Sequence, residues 1–157
     1  MVEDIAKQIR TLLQNQLPAK LDQIELERAD GVILEDIQSF FMQPGHKDAP
    51  IKYPNITIRG EVTIATNALS HRKGLRHKVS IMIVFREVSP DSELAQSKLW
   101  RYVEAIERVI ASDPTLGRNA VDSTVTGHAY HQKAEGEFIR KAMLMMEVLE
   151  RPSASNY

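Results

Sequence analysis

Four permanent cations and two histidines fall within eight consecutive positions, His71-Arg72-Lys73-Gly74-Leu75-Arg76-His77-Lys78, the densest run of positive charge in the chain. Arg72, Lys73, Arg76 and Lys78 are therefore the first candidates for a binding role. Cations gathered in this way suit phosphates, and each phosphate neutralised would appear in the salt dependence of binding. No aromatic residue interleaves them, so stacking on bases has no support. The same run also reads as a solvated loop at the tip of a hairpin, and composition alone does not separate the two.

Other chemistry finds less support. Five histidines invite a metal site, yet His128 and His131 are an odd number of positions apart on an expected strand and point to opposite faces. His71 and His77 have no carboxylate beside them in the sequence, and no H-E-x-x-H spacing occurs. Asp30, Glu35 and Asp36 cluster, but acids near an Asp-Gly turn are usually solvated or capping. Neither a G-x-S-x-G elbow nor a phosphate-cradling glycine loop is present. With no cysteine, disulfides, thiolate zinc sites and cysteine nucleophiles are excluded together. The expectation is a protein without catalysis, cofactor or metal.

The elements that would hold these residues show themselves by their periods. From 77 to 86, Val79, Ile81, Ile83 and Phe85 alternate onto one face, as in a strand packed on a core. Beyond them Leu94, Leu99, Tyr102, Val103, Ile106, Val109 and Ile110 recur at helical steps. Ser89 is placed to cap this helix, with Pro90 at its first position. Asp113-Pro114-Thr115-Leu116-Gly117 ends it. An earlier helix carries Ile5, Ile9, Leu12, Leu13 and Leu17 and stops at Pro18. Residues 19–53 are ambiguous: Leu21, Ile24 and Leu26 suit the start of an extended piece, and 43–50 is loop. Ile56, Ile58, Val62 and Ile64 alternate around Gly60, which suggests a bulge. Residues 65–76 form a polar connection back to the next strand, making an antiparallel hairpin with a long tip. Strands at 120–130 and 138–149 close the chain, joined by a turn near 132–136. In the last strand Met143 and Met145 share a face with Ile139 and Leu149. That face is either core or a meeting point with a neighbouring chain.

These elements predict an α+β domain, a mostly antiparallel sheet of about four strands with two helices packed against it. Residues 1–150 make one domain, and 151–157 have the composition of a flexible tail. A chain of 157 residues with a net charge of −1 buries an ordinary core and has no global attraction for nucleic acid or membrane. The start, Met1-Val2-Glu3-Asp4, lacks the form of a signal peptide, and no apolar run approaches the ~20 residues of a membrane span. A cytosolic place of synthesis is expected.

The order helix, variable segment, hairpin with extended tip, capped helix, terminal hairpin resembles the neck and tail-completion proteins of long-tailed bacteriophages, tail terminators included. The resemblance rests on Tyr53-Pro54-Asn55-Ile56-Thr57-Ile58, on Arg101-Tyr102-Val103-Glu104-Ala105-Ile106, and on the helix ending at 113–117. The closing strands at 121–130 and Arg140-Lys141-Ala142-Met143-Leu144-Met145-Met146-Glu147-Val148 complete it. It implies a virion protein, assembled in the host cytoplasm, that forms a homo-oligomeric ring, typically a hexamer. Its partners would be the tail tube protein and the head–tail connector, with DNA passing through the lumen. The basic tip would then line that lumen or meet an acidic ring, a protein contact being slightly favoured. A head-side neck protein, or a nucleic-acid-binding module outside any phage, are the alternative expectations.

Overall fold

A computed structural model describes residues 2–42, 51–69, 72–131 and 138–150; of 66–69, 72, 73 and 131 it describes the backbone alone. The chain runs α1 (Val2–Arg28), β1 (Ser39–Phe41), β2 (Asn55–Leu69), β3 (Arg72–Arg86), α2 (Ser92–Ser112), β4 (Ala120–His131) and β5 (Ile139–Glu150). One five-stranded sheet has the order β1-β2-β3-β5-β4. All pairings are antiparallel except β1 with β2. The expected α+β architecture is present, with one strand more than the periods predict. β1 is three residues long, too short to display a period of its own.

Helix α1 does not end at Pro18 but continues to Arg28. Leu13, Leu17, Leu21 and Ile24 hold one stripe across the proline, and all are buried. Each such side chain contributes about 1.5–3 kcal/mol on burial. Together they outweigh the ~3 kcal/mol that an internal proline costs. The supposed extended piece at Leu21 and Ile24 is therefore helix. The start of α2 also differs from expectation. Asp91, not Ser89, is the cap, and its carboxylate accepts the amides of Glu93 and Leu94. Ser89 Oγ instead accepts the amide of Asp91, one step before the helix, so Pro90 lies outside it. At the far end the Asp113 carboxylate accepts the Thr115 hydroxyl and the Gly117 amide, both at 2.9 Å. These bonds hold a tight reversal in which Leu116, Gly117 and Arg118 all have positive φ.

Both helices cover the same side of the sheet. Ile56 and Ile58 of β2, Val79, Ile81, Ile83 and Phe85 of β3, and Ala142, Leu144, Met146 and Val148 of β5 join the helix stripes in one core. Tyr102 stands in its midst, its ring against Phe85 and its hydroxyl donating to the Glu35 carbonyl at 3.0 Å.

The β2–β3 hairpin departs from a regular pair in two ways. The bulge suggested by Gly60 exists, a register shift between Gly60 and Val62. One inserted residue reverses the facing of everything beyond it. Ile56 and Ile58 thus point into the core, whereas Val62 and Ile64 are 50% and 43% exposed on the other side. Of the long polar tip expected at 65–76, residues 65–69 and 72–76 are instead strand, and 70 and 71 lie outside the described residues. β2 and β3 pair as far as Leu69 with Arg72, while β3 pairs with β5 only from Arg76 onward. Beyond Arg76, among the described residues, the hairpin is a two-stranded ribbon extending past the rest of the sheet. The expected loop at 43–50, the turn at 132–136 and the tail at 151–157 lie outside the described residues.

Candidate assembly surface

The helix-free face of the sheet gathers the residues most able to meet a partner. β3 contributes Arg76, Lys78, Met82 and Val84, alternating with its core positions; β5 contributes Ile139, Lys141, Met143, Met145, Glu147 and Leu149. From β2 come Arg59, Glu61, Val62 and Ile64. Cross-strand neighbours are fixed by register: Lys78 lies opposite Val62 on one side and Glu147 on the other, and Arg76 opposite Ile64 and Leu149. Glu61, at the bulge, accepts the hydroxyl of the otherwise buried Ser80 at 2.7 Å and lies 4.0 Å from Arg59.

Two shallow depressions dent this face. One, about 540 Å³, is lined by Met143 and Met145 with Arg59, Lys78 and Glu147 around them. The second, about 380 Å³, lies toward β1, with Tyr53, Met82, Val84 and Ile139 as walls and Arg59 and Lys141 among the polar lining. The first has an apolar floor ringed by charges of both signs, which suits a protein surface better than a polyanion; the second has only cations, Arg59 and Lys141, as its charged lining. The face of Met143 and Met145, expected to be either core or interface, is the open one. Met146 is buried under the helices, and Met145 is 41% exposed on the open side.

From Arg72 onward the basic cluster proves to be a stretch of strand and not a loop. Arg76 and Lys78 are exposed on the helix-free face, two positions apart. Arg72 and Lys73 open β3, in the ribbon, and their side chains lie outside the described residues. His77, between the two exposed cations in sequence, points the opposite way and is 1% exposed. Its Nδ1 lies 2.8 Å from Thr63 Oγ1 and its Nε2 3.1 Å from Glu150 Oε2. The carboxylate partner is thus 73 positions away in sequence, which is why adjacency does not reveal it. Burial alone would raise the Glu150 carboxyl. Hydrogen bonds and positive charge around it, His77 among them, outweigh that and hold it below the usual carboxylate range.

Of the other candidate groups, Asp30 and His128 are paired with residues of α2. Asp30 receives two bonds from the Arg101 guanidinium, one of 2.9 Å, and its carboxyl is lowered to about 2, chiefly by that pairing. Glu27, Arg108, Glu104 and Arg28 continue the same α1–α2 network. His128 Nε2 lies 3.1 Å from Glu107 Oε2 of α2. Lys98 pairs with Glu87, a carboxylate that burial pushes up but the Lys98 bond and the Ser89 amide bring down. Among the described residues no three His, Asp or Glu side chains converge as metal ligands, and no helix is long and apolar enough to cross a membrane.

Neither protein-family models nor curated protein sequences match this chain. Its fold does have a likeness among solved structures. A chain from the virion of a native gene transfer agent particle superposes with a TM-score of 0.51 at 11% identity, over 88% of this chain and 95% of that one.

Proposed function

We propose that this chain is a structural subunit of a phage-type virion, and within it a tail terminator. In this reading copies close into a ring, a hexamer by resemblance to tail terminators, on the head-proximal end of the tail tube, stop its growth and present a surface to the head connector. The protein performs no catalysis and holds no cofactor. The observation that carries the reading is the fold likeness to a chain of a gene transfer agent particle, which runs nearly end to end in both chains. The one-sided packing supports it: helices stiffen one side of the sheet and leave an apolar, mixed-charge side available for contact.

The test is tail completion. Purified protein added to tail tubes from a preparation lacking it should appear by electron microscopy as a ring at one end of each tube, and tube length should stop increasing. Light scattering across concentrations reports whether rings form before they meet the tube. Rings bound only to heads would replace the terminator with a head-side neck protein. DNA binding that falls steeply with salt, with no effect on tubes, would favour a nucleic-acid module built on Arg76 and Lys78.

A further inference from the structure

Among the described residues, two long strand edges of this sheet are open, one on each side. β1 covers only residues 55–57 of β2, so from 58 to 69 that strand has β3 as its single partner among the described residues. On the opposite side β4 pairs with β5 alone along its length, again among the described residues. Unpaired backbone amides and carbonyls of this kind are a template for another strand, and proteins usually blunt such edges with lysine or proline. Neither the open part of β2 nor β4 contains either residue. Both are rich instead in threonine and β-branched side chains, Val62, Thr63, Ile64 and Thr66 on one, Val121, Thr124, Val125 and Thr126 on the other.

We infer that the ring closes by sheet addition between copies, the open edge of β2 in one subunit pairing with the outer edge of β4 in the next. The inference rests on the ring reading and names the contact it requires. The two edges lie at opposite ends of the strand order and differ in sequence. The contact is therefore head-to-tail, the kind that closes into a ring when the rotation between copies allows it. Bulges supply that rotation. β2 shifts register at Gly60/Val62 and β4 at Val125/Gly127, and bulged strands bend and twist more strongly than regular ones. A second copy also suits the side chains brought together. Val62 and Ile64 lie on the helix-free face, as do the β4 positions paired with Glu147 and Met143, namely Thr124 and Ala129. Joined edges would continue that face from subunit to subunit.

The absence of cysteine makes the contact directly readable. Val62→Cys and Ile64→Cys place a thiol on the first edge, Thr124→Cys and Ala129→Cys on the second, all at positions outside the core. Variants are mixed pairwise in full-length protein, with and without tail tubes, and treated with a short bismaleimide. Covalent dimers should form when a β2 variant meets a β4 variant and not when either is alone. A chain carrying one thiol on each edge should give a ladder of multiples. Circular dichroism matching the unaltered chain confirms that the variants fold. Linking of β2 variants to themselves, or of β4 variants to themselves, overturns the proposal. So does assembly of the unaltered chain with no cross-link in any of the four mixtures, which removes the edge contact and leaves the ring intact. A chain that assembles neither alone nor on tubes removes both.

Discussion

The two faces of the sheet obey different rules although they share strands. Under the helices, the central neighbours in register are aliphatic and fully enclosed, as with Ile81 beside Leu144. On the open side the adjoining pair, Ser80 beside Met145, combines a hydroxyl bonded to Glu61 with a methionine partly in solvent. One residue of strand separates a position that carries stability from one available for recognition. The difference teaches where substitution should damage folding and where it should damage assembly instead.

Adjacent residues offer the sharpest way to break that comparison. Leu144→Ala should lose about 2–5 kcal/mol in urea denaturation, as buried leucines do. Met145→Ala should stay within about 1 kcal/mol of the parent. Equal losses would mean that the open face is covered in the isolated chain. The next effect concerns His77, an imidazole set inside the covered layer. His77→Leu should cost about 1–3 kcal/mol, because Glu150 and Thr63 lose a partner in partly buried surroundings. Adding Glu150→Gln to that variant should cost less than Glu150→Gln alone, and a double-mutant cycle measures the coupling.

A smaller effect depends on pH. The Asp30 carboxyl sits at about 2 in the folded chain, against an ordinary value of 3.8. Its pairing with Arg101 therefore contributes fully above about pH 4 and is lost as pH falls toward about 2. The stability difference between the parent and Asp30→Asn should be constant at neutral pH and shrink across that window; a difference that grows on acidification would contradict the sign. Least costly for folding should be Val62→Lys with Ile64→Lys. Stability should hold within about 0.5 kcal/mol for each surface change, while the proposed ring formation on tail tubes should fail.

Much of this division is legible in the sequence, because alternating or helical apolar periods report which residues are enclosed. The strand at 79–85, the second helix and the closing strands follow from them directly. The extent of α1 beyond Pro18 does not, since a local backbone penalty is visible in sequence, while the burial of Leu21 and Ile24 that offsets it is a tertiary effect. β1 escapes because three residues show no period. The assembly surface is only half visible. Charge singles out Arg76 and Lys78, and facing singles out Met143 and Met145. Nothing in the spacing of Val62 and Ile64 discloses that the bulge at Gly60 turns them outward. His77 groups in sequence with its charged neighbours, and only the fold shows it on the reverse side, bonded to the last residue of β5.

The ribbon beyond Arg76 has a consequence for how such a part could be fitted to different neighbours. Among the described residues only β2 and β3 pair in this outer hairpin, and a pair of strands twists more readily than a wider sheet. Residues added to or removed from its end would change how far the arm extends while leaving every enclosed side chain where it is. Adaptation to a wider or narrower mating piece thus needs no redesign of the body.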